Sequence, residues 1–315
     1  MQRIQISNAT PAPLLITGSI AYDDIITPRG NGEKLIGGSA SYASLAASYF
    51  TDVRLVGVVG NDFLNKDRER FRIHEIDTKG LHTDESGPTL FWKGKYHENY
   101  NRRDTMTIEL GVFANFRPEL PAGYEQTPFV LLANIAPGLH LHVLGQMQSP
   151  RFVVADSMDL WIEIARPELE QVIKRVNLFV VNDSEAEHLT GESNVIVAGQ
   201  KLREIGAKIV LIKKGEHGAL LFHEDGLFAL PAYPVTQLHD PTGAGDSFAG
   251  ALIGTLAALQ RTDFEAIKLG MLYATAAASL TVEAFSCDRL ESAGITEIEA
   301  RVKTLRTITA LPQLD

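Results

Sequence analysis

The stretch "DPTGAGDSFAG", residues 240–250, holds three glycines, two aspartates and a proline, and runs straight into an apolar segment. Glycine inside an element costs backbone entropy, so a cluster of them marks backbone that must bend or be approached closely. The following "ALIGTLAAL", residues 251–259, is apolar or small all round, the pattern of a buried helix. The glycines therefore sit at a helix N-terminus, where free N–H groups meet the positive end of the macrodipole. Gly243, Ala244 and Gly245 offer their amides with little side chain in the way, an anion hole that suits a phosphate. Asp246 would repel that anion if the loop were only a cradle. Its position makes sense if it faces the group that attacks the phosphate, ionised by the helix N-terminus and ready to accept a proton from a hydroxyl. An anion hole beside a base is the equipment of phosphoryl transfer. The plain alternative is a glycine-rich turn whose Asp246 stabilises the helix dipole. Two other glycine motifs fail. No Gly-Lys-Ser/Thr ending occurs, and Phe248 stands where a dinucleotide fingerprint needs glycine.

Outward from this loop, strand and helix signals alternate. "PLLITGSIAYDD" (13–24), "DVRLVGVVGND" (52–62), "LHLHVLG" (139–145), "RFVVADS" (151–157), "NLFVVND" (177–183) and "AKIVLIKKG" (207–215) read as strands. The alanine- and serine-rich run after Gly37 and Gly38, "DRERFRIHEI" (67–76) and "WIEIARPELEQVIKRV" (161–176) read as helices, the last interrupted near Pro167. "TKGLHTD" (78–84) reads as a turn, and "GALLFHEDGLFALPAY" (218–233) as a hairpin with Asp225 and Gly226 at its tip. This rhythm predicts a three-layer α/β fold, a mostly parallel sheet with helices on both faces. Residues 24–36 and 89–112 break it with hairpin patterns, the second turning near residues 98–104. They predict a small β-sheet projecting from one domain spanning residues 1–315.

With 45% hydrophobic and 22% charged residues, the chain has the composition of a soluble globular protein. A formal net charge of −10 disfavours nucleic acid or an anionic membrane as partner. Cys287 is the sole cysteine, so no intrachain disulfide forms, as fits a reducing cytoplasm. No signal peptide is visible, and no apolar run is long enough to span a membrane.

Three motifs in order carry a resemblance. "DPTGAGDSFAGALIG" resembles the C-terminal signature of the ribokinase-like (PfkB) carbohydrate kinases, "GGSASYASLAASYF" from Gly37 their N-terminal glycine pair, and "VVNDSEAEHLTG" (180–191) their Asn-x-x-Glu segment. The resemblance covers nearly the whole chain. It implies an ATP-dependent kinase acting on a hydroxyl of a small sugar or polyol, with nucleosides as rival acceptors. A non-catalytic ATP- or sugar-binding regulator is the remote alternative.

In that family Asp246 matches the base, and the amides of Gly243, Ala244 and Gly245 match the anion hole. Asp240 and Thr242 match loop positions near the nucleotide. Asn182 and Glu185 match residues that organise Mg²⁺ and the triphosphate through water; on their own they read as a strand-end turn residue and a solvated helix face. Gly37 and Gly38 match a pair whose bareness lets the acceptor approach, or simply a tight strand-to-helix turn. Asp23 matches the aspartate that binds acceptor hydroxyls, although Asp24 offers the same chemistry. Ala21 and Tyr42 replace two acceptor-binding asparagines, which places ribose itself in doubt. Lys213 and Lys214, before Gly215, replace Thr-Leu near the nucleotide, and a lysine there contacts ATP phosphates or points away as a surface charge. Residues 284–287, starting at Ala284, fall where the family folds a loop around adenine.

The hairpin 89–112 corresponds to the family's lid, which excludes water and often pairs between subunits as a homodimer. Arg103 near its turn reaches an anionic group or stays solvated. Tyr22, Tyr42, Phe91, Trp92 and Tyr96 are aromatics that suit stacking on a nucleoside base. A monovalent cation such as K⁺ is a further expectation beside the anion hole. His140 and His142 read as a strand-spaced core or surface pair rather than metal ligands, and Asp156 as a weak acceptor-site or structural candidate.

Overall fold

The computed structural model describes residues 3–100 and 102–311. The first half runs β1 (Leu14–Thr17), β2 (Ala21–Thr27), β3 (Gly30–Gly37), α1 (Ser39–Ser48), β4 (Val53–Gly60), α2 (Asn65–Ile73), β5 (Asp77–Asp84), β6 (Leu90–Tyr96) and β7 (Arg103–Glu109). It continues through β8 (Phe129–Leu132), α3 (Pro137–Gln146), β9 (Phe152–Asp156), α4 (Asp159–Ile164), α5 (Arg166–Arg175), β10 (Leu178–Asn182), α6 (Asp183–Thr190) and α7 (Val195–Ile205). The last part is β11 (Ile209–Lys213), β12 (Ala219–His223), β13 (Gly226–Leu230), α8 (Ala244–Leu259), α9 (Phe264–Thr281) and α10 (Asp288–Ile308).

Nine strands form one sheet in the order β13-β12-β11-β10-β9-β8-β1-β4-β5, and β3-β2-β6-β7 form a separate four-stranded sheet. The large sheet is parallel from β11 to β5 and antiparallel only at β12 and β13. Its central strands are apolar on both faces because both are covered. Leu14, Ile16, Leu131, Val154 and Val180 pack with α1, α8 and α9. Their neighbours Leu15, Val130, Leu132, Val153 and Val181 pack with α3, α5 and α7 on the other side. This is the three-layer arrangement that alternation of strands and helices predicts.

α8 is buried without a break from Ser247 to Ala258. Its internal glycines have a packing cause. A Cβ on Gly250 would stand 2.1 Å from the Ala43 carbonyl oxygen, so glycine lets α1 and α8 approach closely.

Two local readings are corrected. "LHLHVLG" lies in α3, not in a strand, and β8 takes the strand position before it. Pro137 opens the helix, and His140, Val143 and Leu144 share its buried face at helical spacing, overriding the leucine–histidine alternation. "TKGLHTD" belongs to β5, an edge strand paired in parallel with β4. Gly80 there reads like a turn signal, yet a Cβ on it would stand 2.6 Å from the Leu55 carbonyl, so it serves close strand approach. The helical break expected at Pro167 falls at Ala165, between α4 and α5. The turn expected at residues 98–104 joins β6 to β7, with residue 101 outside the described residues.

Candidate active site

β9, β10 and β11 end at Asp156, Asn182 and Lys213, on neighbouring strands of the parallel sheet. The carboxyl ends of such strands are where α/β sheets gather ligand contacts. α8 begins beside them. Gly243 is its N-cap, with φ +74°, a left-handed conformation that suits glycine. Among the described residues the Gly243 and Gly245 amides have no hydrogen-bond acceptor, while Ala244 donates to the Pro241 carbonyl at 3.2 Å. The first turn of α8 thus presents unused donors, as the loop's composition predicts.

Asp246 lies in that turn, half-buried. The carboxyl is far less acidic than an exposed aspartate yet remains mostly ionised at neutral pH. Burial and the nearby Asp156 push its carboxyl up to about 6, against the opposing pull of Lys213 and Arg103. Lys213 Nζ pairs with Asp156 Oδ2 at 3.0 Å. Asp156 Oδ1 in turn accepts the Ser157 N–H at 2.8 Å, which fixes the carboxylate. Burial alone would lower the Lys213 ammonium; the carboxylates of Asp156, Glu185 and Asp246 outweigh it and keep the group charged. Lys214, the next residue, makes no ion pair among the described residues, and Gly215 turns the chain with φ +53°.

Asn182 and Glu185 form a capping box at the start of α6. Asn182 Oδ1 accepts the Glu185 N–H at 2.7 Å, and Glu185 Oε2 accepts the Asn182 N–H at 2.8 Å. Glu185 is buried rather than on a solvated face, and burial raises its carboxyl. Among the described residues no group of three or more His, Cys, Asp or Glu side chains is placed to hold a metal alone. Asn182 Oδ1 and Glu185 Oε2 are held by the cap, and the two side chains carry oxygens of the kind Mg²⁺ takes together with waters and phosphate oxygens. His140 is buried with Nε2 on the Ala133 carbonyl, and burial lowers it to about 4; His142 faces Arg117 and Glu119.

In β2 of the small sheet, Asp23 is nearly wholly buried, and Asp24 is engaged by the Lys34 N–H and by Lys93. Burial, then Asp240 and Asp246, raise the Asp23 carboxyl well above the ordinary range. A Cβ on Gly37 would stand 2.0 Å from Asp23 Oδ2, and one on Gly38, with φ +87°, 2.5 Å from the Ser19 carbonyl. The glycine pair makes room for this chain's own Asp23 and for the β1–β2 backbone at the turn from β3 into α1. Tyr42 is wholly buried, its ring filling the space where a Gly243 Cβ would lie, and its hydroxyl has no partner. It supports the loop from beneath.

The small sheet brings Arg103 to the site. Its guanidinium rests over the Trp92 ring at 5.5 Å and interacts with the Tyr96 hydroxyl. Its charge also reaches Asp23 and Asp246. Tyr96 also accepts the Thr242 hydroxyl at 3.0 Å, so the end of β6 touches the loop before α8. Nothing in the sequence marks Tyr96 for that contact. Asp240 accepts the Thr242 N–H at 2.9 Å through Oδ1, and among the described residues its buried Oδ2 makes no hydrogen bond of normal geometry. In the loop 284–287, Ala284 is half-buried, Phe285 packs over Gly30 and Gly32, Ser286 donates to the Ile36 carbonyl at 2.6 Å and Cys287 is buried. That loop leans on the small sheet. Of the aromatics read as stacking candidates, Tyr22 is buried and donates to Asp67, Tyr42 is wholly buried, and the Trp92 ring lies under the Arg103 guanidinium with Nε1 on Thr105.

The chain is similar to the cytidine kinase of Thermococcus kodakarensis, 30% identical over 247 residues that cover 76% of this chain and 87% of that protein. It is also similar to a nucleoside kinase of Methanocaldococcus jannaschii, 25% identical over 82% of each. Among solved structures, a Burkholderia thailandensis nucleoside kinase in complex with ADP-inosine superposes with a TM-score of 0.77, at 20% identity, over 96% of this chain and 100% of that one. A putative ribokinase II from E. coli, in complex with ATP and Mg²⁺, gives 0.75 at 19% identity over 93% and 99%. Residues 15–292 match the pfkB family carbohydrate kinases, and the chain belongs to that family.

Proposed function

We propose that the protein transfers the γ-phosphoryl group of ATP to a hydroxyl of a small sugar-bearing acceptor, a nucleoside ahead of a free sugar or polyol. The observation that carries this reading is the start of α8, where Asp246 adjoins the unused amides of Gly243 and Gly245. Asp23 holds acceptor hydroxyls from the opposite side, and Asp246 takes the proton of the attacking one. The acceptor oxygen bonds to the γ-phosphorus as the bond to the bridging oxygen breaks, and ADP leaves with the electron pair. The anion hole stabilises charge on the phosphoryl oxygens. Mg²⁺, held through water by Asn182 and Glu185, supplies further neutralisation of the phosphates when bound. The preference for a nucleoside rests on the more similar two of four broadly covering relatives, named as cytidine and nucleoside kinases at 30% and 25% identity, ahead of a 2-dehydro-3-deoxygluconokinase and a 1-phosphofructokinase at 23% and 24%, and not on stacking aromatics.

Three subsidiary readings go with it. The buried Oδ2 of Asp240 suits a monovalent cation such as K⁺. The outer strand β7 carries exposed Met106 and Ile108, a surface suited to a homodimer through the small sheet. The single buried Cys287 suits a reducing cytoplasm, and among the described residues no helix is long and apolar enough to cross a membrane.

The test is ADP release from Mg-ATP across a panel of nucleosides, sugars and polyols, with Asp246→Asn beside the wild type. Turnover on a nucleoside, lost in the variant, supports the reading. Turnover on a sugar alone moves the acceptor, and turnover unchanged in Asp246→Asn removes the base.

A further inference from the structure

Lys213 carries chemistry that the capping and packing roles of this site leave unspent. Its ammonium carries three N–H donors. Asp156 takes one at 3.0 Å, and among the described residues no other acceptor takes a second. The group is largely buried, its side chain only 17% exposed, where unmade hydrogen bonds are costly. It also lies against the start of α8: a Cβ on Gly245 would stand 2.9 Å from Lys213 Nζ. Gly245 is thus bare partly to admit an ammonium. A positive group set against the positive end of a helix is repelled unless an anion sits between or beside them. Asp156, Glu185 and Asp246 offset that repulsion, but none of the last two bonds to Nζ. Two free N–H donors, unused helix amides and a fixed charge converge on one point. An oxyanion there would satisfy all of them.

We propose that Lys213 is a catalytic residue that donates to the oxygens of the phosphoryl group in transit, and that Asp156 is a positioning residue that aims it. The proposal rests on the kinase reading above. Lys213 stays protonated throughout: the acceptor proton goes to Asp246, the new oxygen–phosphorus bond forms, and the electron pair of the broken bond leaves with ADP. The ammonium meets the γ-phosphoryl group and not the rest of the nucleotide, so it distinguishes ATP from ADP.

The experiment measures ATP and ADP binding by titration calorimetry in Mg²⁺, with turnover on the best acceptor, for wild type, Lys213→Met, Lys213→Arg and the double variant Lys213→Met/Asp156→Asn. The double variant removes both charges of the buried pair, so it folds even if Lys213→Met leaves Asp156 uncompensated and does not. The expected result is a roughly tenfold to hundredfold weaker ATP in the Met variants, the worth of a charge-assisted hydrogen bond. ADP should change by less than about threefold on the same scale. Turnover should fall by roughly a hundredfold or more, as on loss of an oxyanion donor, and Lys213→Arg should recover part of the ATP preference. Equal loss of ATP and ADP, or an unchanged ratio in the folded double variant, overturns the proposal and leaves the kinase reading standing. Turnover that survives Asp246→Asn while ATP preference is lost with Lys213 overturns the assigned base and keeps Lys213 on the phosphate. A wild type that binds neither nucleotide overturns both.

Discussion

α1 and α8 both start at a left-handed glycine with no side-chain cap, Gly38 and Gly243, and both run on in small residues. The first junction is closed by its own chain. Ser39 donates to the Ser19 hydroxyl at 3.1 Å, Ala40 to the Ser19 carbonyl at 2.9 Å, and Asp23 fills the space over Gly37. The second is left open: Gly243 and Gly245 keep unused amides, and Lys213 Nζ stands over Gly245. The same local sequence pattern therefore makes a packed corner in one place and a turn with unused helix amides in the other. What separates them is the neighbour, a backbone carbonyl in one case and a lysine in the other.

The largest effect expected is on the open junction's own acid. Asp246→Asn should lower kcat by roughly 10²–10⁴, the contribution of a general base, with ATP affinity kept, as single-turnover kinetics and calorimetry would report. No residue of the α1 turn should behave this way, since that turn has no acid.

Alanine at each junction breaks the comparison directly. Gly38→Ala forces a side chain into φ +87° and within 2.5 Å of the Ser19 carbonyl, where backbone cannot yield. It should cost about 2–4 kcal/mol in denaturant unfolding. Gly245→Ala meets only the end of a flexible lysine. It should keep stability within about 1 kcal/mol and instead weaken ATP. If both variants lose stability alike, the two junctions are the same kind of corner.

How much of this was legible follows from sequence distance. The loop and helix of 240–259 could be read because the glycines, the N-terminal amides and Asp246 are all neighbours in the sequence. The motif pointed to Asp23 with Asp24 as its rival, and only in space do the Lys34 N–H and Lys93 claim Asp24. The Lys213–Asp156 pair joins residues 57 apart, and Thr242–Tyr96 joins residues 146 apart. No periodicity encodes such contacts; strand order makes them. α3 shows the opposite fault, a local alternation of leucine and histidine that burial at helical spacing overrules.

The Asp246 carboxyl sharpens the comparison through pH. Its proton is held to about 6 in the folded chain, against an ordinary carboxyl near 4 once unfolded. Between these values the folded state binds the extra proton, so stability falls as pH rises from about 4 to 6 and stays lowered above. Asp246→Asn removes that deficit. The inactive variant should melt roughly 2–4 °C higher at pH 7–8, allowing for partial exposure, and match the wild type near pH 4. Wild-type kcat/KM should fall as pH drops through about 6, as the base takes its proton.

The smallest effect tests what covers the open junction. Ser19 closes the first corner from within, but before α8 the hydroxyl bonded to Thr242 is that of Tyr96, carried by the small sheet. If that sheet closes over the bound acceptor, the bond is made in the closed state and its loss weakens closure alone. Tyr96→Phe removes about 1 kcal/mol, so acceptor KM should rise by roughly fivefold. The melting temperature should move by less than about 2 °C, because the ring itself stays packed. A melting point that falls with KM unchanged would make Tyr96 a strut of the fold. A KM shift without a melting shift makes the second corner one that is completed by a moving part, where the first is completed by the chain that precedes it.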